Sequence, residues 1–292
     1  MSVPWSTSQA TVEIATPSIV FAEVLRIEKE VELIKSHLGL TESKPAIQIF
    51  AALSPRHSWQ KSYIIQLKIN LFRRQRGFPF LAANNLEPVL KMEPEVVYEQ
   101  TQRLLTEINM LKKRLGISKI VPKQEIVPGK KPIDVFNKLN FISMQWDIIN
   151  RREISPANVY AEVKRVNEDV NIILNYLNVQ DVAFPPPKKS DAKPADSFKS
   201  AFKLLAEIQR LQQLAGIARV DFHDFSKIKT VLPSDVLNMV SMAIAELQVL
   251  KAHLGLITRL TTPAEQHVEK TPAEVNQFLG YVANKLQLIR SL

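Results

Sequence analysis

The chain has 292 residues, 46% hydrophobic and 23% charged, with a formal net charge of +9 and no cysteine. That length allows two domains with proper cores, and the lack of thiols excludes disulfides, zinc–thiolate sites, iron–sulfur clusters and cysteine nucleophiles. No apolar run of about 18 residues is long enough to cross a membrane, and the first residues lack the basic and apolar regions of a secretory leader. A soluble chain is expected, and an exported form would have lost its leader.

Eight prolines punctuate the sequence in order. Six are followed four residues later by an aromatic: Pro17–Phe21, Pro55–Trp59, Pro94–Tyr98, Pro132–Phe136, Pro156–Tyr160 and Pro194–Phe198. Pro233–Leu237 and Pro272–Asn276 are weaker copies. Proline suits the first position of a helix, where its missing N–H is not needed. Thr16, Ser54, Ser155 and Thr271 stand just before four of the prolines as N-caps. Each proline therefore marks a helix start.

Counting forward from each proline exposes a seam. The positions 10, 14 and 17 residues on are apolar in all eight copies, from Ile27, Val31 and Ile34 to Val282, Leu286 and Ile289. Together with weaker columns at 3 and 7, these steps alternate three and four, the heptad pattern of helices packed at a shallow angle. Twenty-two residues after the proline stand Gly39, Gly77, Gly116, Gly216 and Gly255, with Asn178 in the fifth copy. Gly or Asn there permits the left-handed residue that closes a helix. Each helix is thus about 20–22 residues, roughly 30 Å long.

The prolines are spaced 38, 39, 38, 24, 38, 39 and 39 apart, and the first and second sets of four are offset by 139 or 140 residues. This register predicts an all-α fold made by tandem duplication of a four-helix bundle. Module 1 spans residues 1–152, with helices near 17–38, 55–76, 94–115 and 132–151. Module 2 spans 153–292, with helices near 156–177, 194–215, 233–254 and 272–291. The junction near Asn150–Ser155 is short, and a stiff connection is expected. The connections inside each module run about 15 residues and carry apolar side chains, as in 45–53, 120–128 and 219–231. They could reach roughly 50 Å, enough to cross one end or to return along a helix. An up-down bundle is the favoured arrangement, with parallel helices and return loops as the other. Residues 185–189, Pro-Pro-Pro-Lys-Lys, read as a stiff, exposed polyproline piece.

Catalytic signatures are lacking. HExxH, GxSxG, P-loop and dinucleotide glycine patterns do not occur, and no Glu-x-x-His pair suits a di-iron bundle. The weak metal candidate is Asp221, His223 and Asp224, which offers too few ligands and reads better as a solvated loop anchored by Phe222 and Phe225. His37 and His253 share a column near helix ends, where a cation suits the helix dipole. Basic clusters also sit at helix ends. If helices 2 and 4 end at one pole, Arg73, Arg74, Arg76, Arg151 and Arg152 form an anion- or partner-binding candidate. The aromatic column reads as core, and Trp59 and Trp146 are the pocket candidates.

These features predict a non-enzymatic structural or protein-interaction scaffold, with another protein as partner and no cofactor. An extracytoplasmic sensory or small-ligand-binding domain is the alternative, since two stacked four-helix bundles resemble in architecture the helical bimodular ligand-binding regions of bacterial chemoreceptors. An anion- or nucleic-acid-binding accessory protein is a further alternative. It is disfavoured because the aromatics lie in the core-facing column rather than interleaved with the cations.

Overall fold

The computed structural model describes residues 14–42, 48–151, 154–265 and 269–292. Its described residues form eight α-helices: α1 (Pro17–His37), α2 (Pro55–Gln75), α3 (Pro94–Arg114), α4 (Pro132–Asn150), α5 (Pro156–Tyr176), α6 (Pro194–Leu214), α7 (Pro233–His253) and α8 (Pro272–Gln287). Each begins at the expected proline. Six of them close with the next residue but one in the left-handed region: Gly39, Gly77, Gly116, Asn178, Gly216 and Gly255 have φ between 54° and 76°. In each, the following N–H reaches back to a carbonyl in the last turn, as Phe78 does to Arg73 at 2.8 Å, so the end is fixed by backbone hydrogen bonds. All 24 seam residues are buried, none more than 4% exposed.

The helices sort into two bundles. In the first, α1 and α2 each pack against both α3 and α4, while α1 and α2 face each other across the diagonal; α5 to α8 repeat this pattern. The four starting prolines of the first bundle, with Val20, Ser58, Val97 and Val135, surround one small apolar cavity. The four prolines of the second do the same with Val159, Ser197, Val236 and Val275. All four helices of a bundle therefore start at the same end. This corrects the up-down arrangement favoured from sequence: each bundle is wholly parallel.

The physical reason lies in the connections. The described parts of these connections run back along the bundle as straps and are bound on the way; the one after α6 includes a 3-10 turn at His223–Lys227. Asn137 of α4 clamps Ile49, accepting its N–H at 3.0 Å and donating to its carbonyl at 2.8 Å. Asn70 of α2 does the same to Leu81, and Gln209 of α6 donates to the Val220 carbonyl. Side-chain amides thus satisfy strap backbone that would otherwise lose its water. Ile49, Leu53, Leu86, Val121, Phe222 and Phe225 on the straps are all buried.

Four aligned helices add their dipoles, which a parallel bundle must offset. Two features do so. Cations sit in the last turns, among them Lys35, Arg73, Lys112 and Lys251. The modules also lie head to tail: α2 packs on α7, with His57 at the start of α2 against Glu246 late in α7. Lys68 late in α2 lies within the field of Asp235 at the start of α7. The two helices are therefore antiparallel, and one module's N-terminal pole lies beside the other's C-terminal pole. The straps add a bridge, Leu86 and Thr261 exchanging two backbone hydrogen bonds of 2.9 Å.

Candidate functional site

The charge excess is confined to one module. Residues 1–152 hold 22 of the 38 Lys and Arg but 14 of the 29 Asp and Glu, leaving the remainder nearly neutral. Because module 1 is parallel, its C-terminal pole gathers cations from all four helices rather than from α2 and α4 alone. Arg74, Arg76, Lys113, Arg114 and Arg151 are exposed there. Arg76 lies over the Phe72 ring at 4.5 Å and Arg114 over Phe78 at 5.3 Å, which holds the guanidinium planes in place.

This pole faces the start of α5 across a cleft of about 1270 Å³ as bounded by the described residues. Arg74, Arg76 and Arg151 line it together with an apolar floor that includes Leu67, Leu71 and Phe80. Asn150 lies in its wall, only 3% exposed. The Asn150 amide nitrogen donates to the Lys68 carbonyl at 3.1 Å, while its Oδ1 has no partner among the described residues.

The other candidates separate. Arg73 does not join the exposed cations: it is 4% exposed and donates to the Pro79 carbonyl at 2.6 Å, tying the following strap to α2. Arg152 lies outside the described residues, as does His267. Trp146 is fully buried against Phe72, and Trp59 stacks on Tyr63; neither lines a described cavity. Asp221, His223 and Asp224 are used as turn and strap contacts. Asp221 accepts the His223 N–H at 2.8 Å, and Asp224 accepts from the Phe50 N–H at 2.7 Å and from Lys227 at 2.5 Å. The Lys227 hydrogen bond, then that of Phe50, holds the Asp224 carboxyl below its ordinary range. No group of three possible metal ligands occurs among the described residues.

Sequence reasoning missed a polar cluster between the modules. Glu246 is fully buried and accepts from His57 Nε2 at 2.8 Å and from Arg56 through two N–H groups at 2.8 and 2.9 Å. Gln212 donates to its other oxygen at 2.7 Å. The Ser54 N–H donates to His57 Nδ1, so that nitrogen is unprotonated and Nε2 carries the hydrogen. Burial pushes the His57 pKa down, against the opposing pull of Glu246. Burial would raise Glu246, yet the His57 hydrogen bond and the nearby Arg56 hold it at about 2.

Beside this cluster Lys61, fully buried, donates to Asn140 at 3.0 Å and to Asn238 at 2.6 Å. Burial first, and Lys68 second, bring its pKa down to about 7. The signal available in the sequence was divergence: Arg56, His57 and Lys61 of α2 and Asp235 of α7 differ in charge from their counterparts 139 residues away, although Glu246 matches Glu107.

Fold and site together define a duplicated parallel four-helix bundle, with a cation-rimmed cleft beside a locked intermodular joint. No family model, curated protein or solved structure matches the chain. Among the described residues no helix is long and apolar enough to cross a membrane.

Proposed function

We propose that this chain is a non-catalytic protein-interaction scaffold whose cleft receives an acidic, partly apolar segment of another protein. The carrying observation is the pairing of the exposed cations Arg76 and Arg151 with an apolar floor at the modular joint. Cations on a rim steer an acidic partner and set the salt dependence of binding, while apolar burial beneath them retains it. The buried joint supports this reading, because it holds the two cleft walls at a fixed separation.

The test is affinity capture at low and high salt with the intact chain and with the double variant Arg76→Glu, Arg151→Glu. One or two proteins retained by the intact chain through high salt, and lost in the double variant, are expected. Retention unaffected by the double variant overturns the reading.

A further inference from the structure

The strap between α5 and α6 carries a surface distinct from the cleft. Phe184, Pro185 and Pro186 each precede a proline, a position that disfavours the helical region and holds the backbone extended. Proline itself fixes φ near −65°, and no peptide bond among the described residues is cis. Residues 184–187 are therefore a polyproline II helix, with three residues per turn.

Burial follows that period. Ala183 and Pro186 are half-buried, whereas Val182, Phe184, Pro185, Pro187 and Lys188 are exposed. One edge of the three-sided helix thus rests on α8. The Pro186 ring sits so close to Gly280 that an added Cβ there would lie 2.7 Å from it. Gln277 donates to the Pro186 carbonyl at 2.9 Å and Asn284 to the Phe184 carbonyl at 3.0 Å. Lys285 and Tyr281 hold Asp181 at the start of the segment.

The other two edges are presented to solvent. Phe184 and Pro187 form one; Val182, Pro185 and Lys188 form the other. Phe184 is 80% exposed and Val182 55%, more apolar surface than a strap needs for its own packing. Isolated exposed hydrophobics are ordinary, but here they alternate with prolines on a backbone whose ordering cost is already met by α8.

We propose that residues 182–188 are a preformed docking ridge for a partner domain with an aromatic-lined polyproline-binding groove and an acidic rim. Such grooves take two edges of a polyproline II helix and gain affinity from its low conformational entropy. The acidic rim answers Lys188, which extends the Val182–Pro185 edge. Lys189 is not part of that match, since it pairs with Asp196 at 2.9 Å. The ridge shares no residue with the cleft, and the proposal stands apart from the cleft reading.

The test uses the full chain titrated against purified SH3, WW and EVH1 domains by calorimetry. At least one domain is expected to bind with a dissociation constant of about 1–100 μM. Phe184→Ser and Pro187→Ala should each weaken that binding at least about tenfold, and Lys188→Glu severalfold. Because these side chains are exposed, the circular dichroism and melting temperature of each variant should match the parent. Phe50→Ser, on a different strap, is the control and should bind normally. No binding by any of the three domain classes at millimolar concentration overturns the proposal. So does binding that survives Phe184→Ser and Pro187→Ala.

Discussion

The two modules repeat what holds each together and differ in what joins them. Glu30 of α1 pairs with Lys112 of α3, and Asp169 of α5 pairs with Lys251 of α7 at the matching height. Glu23 with Arg26 and Glu162 with Arg165 are a second matched pair. Ser58 donates to the Pro132 carbonyl as Ser197 does to that of Pro272. The docking faces match at Glu246 and Glu107 but differ around them. Where α2 has Arg56, His57, Lys61 and Lys68, α6 has Ala195, Asp196, Ser200 and Glu207. Where α7 has Asp235 and Asn238, α3 has Val96 and Glu99. A basic face on α2 thus meets an acidic one on α7. The α6 face lacks the cations that α2 turns toward α7. Divergence between copies, read by position, marks the joint.

The largest expected effect comes from the shared seam. Ile108→Asp puts an unpaired carboxylate at a fully buried position and should unfold module 1, at a cost of several kcal/mol. Far-UV circular dichroism showing a stable, fully helical variant would contradict the seam.

The joint should be nearly as sensitive, and only on one side of the duplication. Glu246→Gln leaves Arg56 and His57 without their buried carboxylate and should cost about 3–5 kcal/mol. The matching Glu107→Gln removes only a 3.9 Å pair with Arg73 and should cost clearly less than Glu246→Gln. Denaturant melts of both variants check this, and equal losses would deny the contrast between the faces.

Lys61 sharpens the comparison through pH. Its pKa is about 7 in the folded chain, against 10.5 as its ordinary value. Between those values the unfolded chain holds a proton that the folded chain has released, so stability rises with pH across that window. Below about 7 the side chain is charged in both states and its contribution is constant. Lys68, likewise lowered by burial, acts in the same direction against the pull of Asp147. Lys61→Met should flatten the rise between pH 7 and 10. At the acid end His57 and Glu246 work together. Both have folded pKa values below their ordinary ones, so the joint should weaken as pH falls below 6.5 and further on approach to 2.

A smaller effect than that of Glu246→Gln belongs to strap packing. Gly280→Ala forces a methyl against Pro186 and should cost about 1–3 kcal/mol. The same position in module 1 is Asn140, which has room for its side chain and reaches Lys61. A neutral Gly280→Ala would show that the strap shifts freely.

Much of the fold was legible because it is written in local chemistry. A proline opens each helix, a glycine or asparagine closes six of them, and the seam columns mark the buried face. Helix direction was not legible. It depends on whether a strap of fixed length crosses an end or returns, and that choice rests on distant clamps such as Asn137 on Ile49. The cleft was partly legible: Arg74, Arg76 and Arg151 were singled out, but Arg73 turns inward to Pro79. Their convergence with the start of α5 follows from head-to-tail packing of the modules, which no local pattern encodes. The clusters at Glu246 and Lys61 were hidden because a buried charge on a polar helix face looks like a solvated one.

The parallel arrangement is the central claim, and one distance tests it. The chain has no cysteine, so spin labels can be placed only at Gln75→Cys and Lys113→Cys, exposed positions at the ends of the adjacent helices α2 and α3. Parallel helices put both labels at one pole, and double electron–electron resonance should give a distance of about 15–25 Å. An up-down bundle would separate them by a further helix length, roughly 30 Å, and a distance near 35 Å or beyond would contradict the fold.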